Sequence, residues 1–182
     1  MANTIVIAVL ALALGAGLNA AQAVTLGDVA AAMAVPSGSA QPTNDWTAFT
    51  KLAGAKWQGK APAKGGNKYY WNGNVPIDGV GSGQISLVGG QKALDSATVG
   101  WPKDIVLAKV PEMLAAQFPK DTKLEQVRGA CPDERLSGSR IYRATLAGRK
   151  PLYLHIQYAA GDRGGATSTI EMEPQRNKGW IC

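Results

Sequence analysis

One histidine, two cysteines and two phenylalanines are all that the 182 residues provide of these types. A single His155 excludes a multi-histidine metal centre. Cys131 and Cys182 are far from Cys-x-x-Cys spacing, so neither a redox pair nor a zinc knuckle is expected. The chain also lacks a Gly-x-Ser-x-Gly elbow and a His-Glu-x-x-His helix motif. Gly79, Gly81 and Gly83 lie close together, but strand-like "QISLV" follows them where a phosphate-cradling loop requires a helix. Turns that need positive φ explain them better. No cofactor and no metal is expected, and an enzyme is the less favoured class.

Long apolar runs are equally scarce. Ile5 to Leu18 is nearly unbroken, and Ala21-Gln22-Ala23 then places small residues where a signal peptidase looks. A membrane span needs about 20 apolar residues, and this run is shorter. Residues 1–23 therefore read as a signal peptide, with one mature domain over 24–182 in the periplasm or the secreted space. The absence of Lys or Arg ahead of the run departs from the usual pattern. No later run reaches spanning length, so no stable membrane span is expected after cleavage. In an oxidising compartment Cys131 and Cys182 are expected to form a disulfide, worth about 4 kcal/mol in the chain-entropy model.

Within 24–66 the chain suggests short helices and a lysine-rich loop. Thr25 is placed as N-cap with Asp28 three residues on, ahead of an alanine-rich run. Trp46, Phe49 and Leu52 have helical spacing behind Asn44 or Asp45, with Gly54 as a stop. Residues 67–182 read mostly as strands, irregular from Gly65 to Gly100, with one helix near 111–118 opened by Pro111. Val106, Val110, Met113 and Phe118 have the spacing of a helix face, but Pro111 argues against one continuous helix, so a strand or short turn to Lys109 is expected ahead of it.

The last third is the most regular. "SRIYRATL", "PLYLHIQY" and "TSTIEME" alternate apolar and polar residues and are joined by short turn-like segments, which predicts a three-stranded antiparallel meander. Leu152, Leu154, Ile156 and Tyr158 should face inward, and Tyr153, His155 and Gln157 outward. A symmetric first hairpin pairs Leu146 with Leu152, and the second pairs Leu154 with Met172. These registers would set Arg143, His155 and Glu171 in one row. The fold class expected is α+β, a single small domain with short N-terminal helices and an antiparallel sheet.

That row is the most specific catalytic candidate: His155 as a general base steered by Glu171, with Ser137 or Ser139 as remote nucleophile options. Glu171 and Glu173, two apart on one strand, could alternatively act as a carboxylate pair on a glycoside. Ordinary cross-strand pairing of polar residues is the favoured account of the row, and two carboxylates so near on one strand more often just face water.

The other candidate surface lies between Asp45 and Asp78, where there is no carboxylate and five lysines supply most of the formal +6 charge. Lys51, Lys56, Lys60, Lys64 and Lys68 share the stretch with Trp57, Tyr69, Tyr70 and Trp71. Cations beside flat rings suit an anionic polymer such as nucleic acid, cell-wall glycan or lipopolysaccharide. A solvated, solubilising loop is the plainer explanation. The favoured function is a non-enzymatic binding protein of a bacterial-type envelope that holds a protein partner, as an inhibitor or immunity-type protein does. The polymer binder is the alternative, and a small hydrolase built on His155 and Glu171 comes third.

Overall fold

The computed structural model describes residues 23–127, 137–160 and 166–177. Chain geometry near the start follows the local chemistry. The Thr25 hydroxyl accepts the Asp28 N–H at 3.1 Å, and the Asp28 carboxylate accepts the Thr25 N–H at 2.7 Å. This capping box opens α1, Leu26–Met33. Beyond it, the Asn44 side-chain amide donates to the carbonyls of Ala32 and Ala34, both at 2.9 Å, satisfying the helix end. Trp46–Lys51 forms a 3-10 helix, not an α-helix, with Asp45 as its cap, and Leu52 already lies outside it.

The rest is mostly sheet. Among the described residues nine strands follow in order: β1 Lys56–Trp57, β2 Ala63–Gly65, β3 Lys68–Ile77, β4 Gly81–Gly89, β5 Leu94–Trp101, β6 Lys123–Gln126, β7 Ser137–Thr145, β8 Leu152–Ala160 and β9 Ala166–Glu173. They make one sheet in the order β1-β3-β4-β5-β9-β8-β7-β6, with β2 also paired to β3, and every pairing is antiparallel. Two meanders, β3-β4-β5 and β6-β7-β8-β9, are thus zipped side by side by the β5/β9 pair. Residues 102–122 bridge them and carry α2, Val110–Gln117, with Pro111 in its first turn.

One face of the sheet is the core. Trp71, Val75, Ile85, Leu87, Val99, Ile170, Met172, Leu154 and Ile156 are all buried there against α1, the 46–51 turn and α2. Each fully buried aliphatic side chain contributes about 1.5–3 kcal/mol relative to exposure. Gln117 stitches the layers together. Its amide donates to the Asp78 carbonyl at 3.0 Å and accepts the Leu26 N–H at 3.2 Å, joining α2, α1 and the β3–β4 turn.

Several expectations need correcting. Residues 65–100 form long regular strands, and the supposed lysine-rich loop includes β1 and β2. The break ahead of Pro111 is the expected one: a short 3-10 turn, Leu107–Lys109, precedes α2, and Val106, 57% exposed, lies outside both. Above all, Ala144, not Leu146, pairs with Leu152. The intervening turn is occupied elsewhere: Lys150 donates to the Val35 carbonyl at 2.9 Å, Ser37 to that of Gly148 at 3.0 Å, and the Arg149 guanidinium to that of Ala34 at 2.8 Å. The segment after α1 has captured the hairpin loop and shortened its ladder. The second hairpin has the expected register, with Leu154 opposite Met172 and His155 opposite Glu171.

Candidate functional site

The altered register dissolves the predicted row. Arg143 stands across from Tyr153, while Ile141 stands across from His155. The Arg143 guanidinium turns instead to Glu125 on β6, at 3.6 Å. His155 and Glu171 remain neighbours, and Ser139 lies on the same outer face, opposite Gln157.

His155 is nevertheless far from the wet position expected of it. It is only 2% exposed and Ile141 beside it 1%, so the outer face is buried at the centre of β7 and β8. Burial holds the imidazole below its ordinary value of 6.5 and favours the neutral form. On β9, desolvation is the main cause that raises the Glu173 carboxyl above 4.5; a hydrogen bond from Asn177 opposes it and the Glu171 charge adds to it. Among the described residues no cluster of His, Cys, Asp and Glu could hold a metal ion. The expected Cys131–Cys182 bridge lies outside the described residues.

The lysine-rich segment divides by side. Trp57 stacks on Trp71 and meets Phe49 edge-on, and Tyr69 is half-buried on the same inner side. Only Tyr70, 42% exposed, offers a ring outward. Gly73 permits this packing, because a Cβ there would meet the Lys56 carbonyl at 2.8 Å and the Trp57 ring at 2.9 Å. Lys68 pairs with Asp95 at 2.5 Å, and that hydrogen bond raises its pKa. Lys51, Lys56, Lys60 and Lys64 are exposed, three of them along the short strands β1 and β2 and their connection at one margin of the sheet. Charged side chains on very short edge strands discourage edge-to-edge pairing. In the β3–β4 turn, Gly79 has φ of 68°, as a glycine turn requires.

Sequence reasoning missed one further surface. Next to the buried His155 region, the outer face of β3, β4, β5 and β9 forms an open groove of about 390 Å³. Register aligns two polar rows across it: Asn72, Ser86, Thr98 and Glu171 in one, Asn74, Gln84, Gly100 and Thr169 in the other. Lys56 stands opposite Asn74 at the end of the second row. The alternating polar positions were visible in the sequence, but their alignment depends on β5 pairing with β9.

Compared with known protein families, with characterised proteins and with solved structures, the chain has no significant match.

Proposed function

We propose that this is an exported, non-enzymatic binding protein of a bacterial-type envelope, an α+β domain that holds its partner on the outer face of its sheet. One observation carries the reading: β3, β4, β5 and β9 present a concave, polar face with Asn72, Asn74 and Gln84 exposed. A sheet face of this kind can hold a partner on a paired backbone that need not reorganise. The same proposal includes cleavage after Ala23, a periplasmic or secreted location and the Cys131–Cys182 bridge. An inhibitor or immunity-type role is the form it takes when the partner is a protein.

Catalysis fits the site less well. The buried imidazole has Ile141 and Glu171 as cross-strand neighbours, with Arg143 displaced from the row. The anionic-polymer reading retains one favourable observation, the exposed Lys51, Lys56, Lys60 and Lys64. It loses most of its stacking surface, because Trp57, Tyr69 and Trp71 turn inward.

The experiment is a pull-down from envelope extract and secreted material, washed at low and high salt. It uses the wild type, a face variant (Asn74→Asp with Gln84→Glu) and an edge variant (Lys56, Lys60 and Lys64→Glu). Retention through high salt, lost only in the face variant, is the expected result. If salt strips the captured material and only the edge variant loses it, the lysine margin is the binding surface. Equal retention by all three chains overturns both assignments.

A further inference from the structure

We infer that the outer-face groove is a subsite for an uncharged glycan, laid across β3, β4, β5 and β9 over Gly100. The inference rests on the outer-face reading and assigns the chemistry of what that face takes.

None of the ten residues lining the groove is ionisable, in a chain whose residues are 18% charged. Asn72, Asn74, Gln84, Ser86 and Thr98 supply amides and hydroxyls, groups that both donate and accept. Among the described residues, none of these five side chains makes a hydrogen bond within the protein, whereas Thr169 donates to Gln157 at 3.3 Å. A neutral array of donors and acceptors complements a hydroxyl-rich chain that carries no charge. A polyanion would find no cation among the lining residues. An extended peptide would seek an unpaired strand edge, and the backbones of β3, β4, β5 and β9 are already paired on both sides.

Gly73 and Gly83 are required by the fold, since a Cβ would lie 2.8 Å from the Lys56 carbonyl in the first case and 2.7 Å from the Gly100 carbonyl in the second. Gly100 is not required in this way. Its φ is not positive, and an added Cβ would meet nothing nearer than the Gln84 Cβ at 3.6 Å, an ordinary contact. Glycine inside a strand weakens it and often marks a place where a ligand approaches the backbone. Here it forms the floor between Gln84 and Thr169. From Asn74 on β3 to Thr169 on β9 the row covers three strand spacings, about 14 Å, which is room for a short oligosaccharide. Tyr70, two residues before Asn72 on the same face, adds a flat apolar surface at the rim for the C–H side of a sugar ring.

Titration calorimetry on the purified protein tests this with three probes: hexamers of N-acetylglucosamine, hexamers of β-1,4-linked glucose, and the polyanion polygalacturonate. Gly100→Val places a branched side chain on the floor while suiting the strand, so its melting temperature should hold or rise. The expected result is saturable binding of at least one uncharged hexamer, insensitive to salt, and weakened on the order of tenfold or more in Gly100→Val. Asn74→Ala should weaken the same binding by a factor of about five, the scale of one neutral hydrogen bond. Absence of binding by both hexamers overturns the inference, as does equal binding by wild type and Gly100→Val, or binding of polygalacturonate alone. The outer-face reading fails separately. If a protein partner is lost in Gly100→Val while neither hexamer binds the wild type, the face is the working surface and the glycan assignment is wrong.

Discussion

The indole of Trp57 lies on that of Trp71, with ring centroids 4.4 Å apart and planes 25° from parallel. This stack joins the edge strand β1 to the core through Phe49, whose ring meets Trp57 edge-on at 6.4 Å. Trp71→Ala should cost about 3–5 kcal/mol, the scale of a large aromatic deleted from a core. Trp57 is half-buried, so Trp57→Ala should cost less. Either change should erase the exciton signature of paired indoles in circular dichroism. A signature that survives Trp57→Ala would show that the pair is not formed in solution.

His155 makes stability depend on pH. Its folded-state pKa lies below the ordinary 6.5 because burial disfavours the imidazolium. As pH falls below that ordinary value, the unfolded chain takes up the proton more readily than the folded one. The contribution is therefore fully present above about pH 6.5 and is lost as pH falls toward the folded-state pKa. His155→Gln should flatten this slope in urea titrations between about pH 8 and pH 5. If wild type and variant lose stability in parallel over that range, another group is responsible.

Glu173 has the opposite sign. Desolvation, with the neighbouring Glu171 charge, raises its carboxyl above 4.5 in the fold. Stability from this group is greatest below its ordinary value and is lost as pH rises through the raised one. Glu173→Gln should therefore stabilise the protein at neutral pH by roughly 0.5 kcal/mol, discounted for solvent screening of a partly exposed pair. The gain should vanish in thermal melts below about pH 4. An equal gain at both pH values would assign the effect to packing.

Gln117 should be intolerant of apolar replacement. Gln117→Leu keeps the bulk but strands the Leu26 N–H and the Asp78 carbonyl, both of which it now satisfies. The expected cost is about 1–3 kcal/mol in denaturant midpoints. An unchanged midpoint would mean that water replaces both bonds freely.

Local rules in the sequence went far where the determinants were themselves local. Thr25 and Asp28 form the capping box that their spacing implies, and Asp45 caps the next turn. The alternation of Leu152, Leu154 and Ile156 placed β8 correctly, as did that of Ile170 and Met172 for β9. Failures came where distant segments decide. Nothing near Leu146 announces that residues 34–37 will bind its loop, and that contact moves Arg143 by two places relative to His155. Period-two alternation assigns His155 to the outer face but does not report whether that part of the face is covered. The groove depends on Asn74 and Thr169 sharing a row, which requires the β5/β9 pairing.

The outer margin of β3 is closed in pieces. β2 pairs with residues 68–70, β1 with 73–74, and Val24 bonds to either side of Ile77 through the Pro76 carbonyl at 2.8 Å and the Asp78 N–H at 2.9 Å. Three patches from three stretches of chain have no shared backbone ladder to make them open together. In hydrogen exchange the amides along this margin should therefore keep at least three separate clocks: a fast one at the exposed β2 turn, a slower one where Trp57 anchors β1, and the slowest at Val24 against the core.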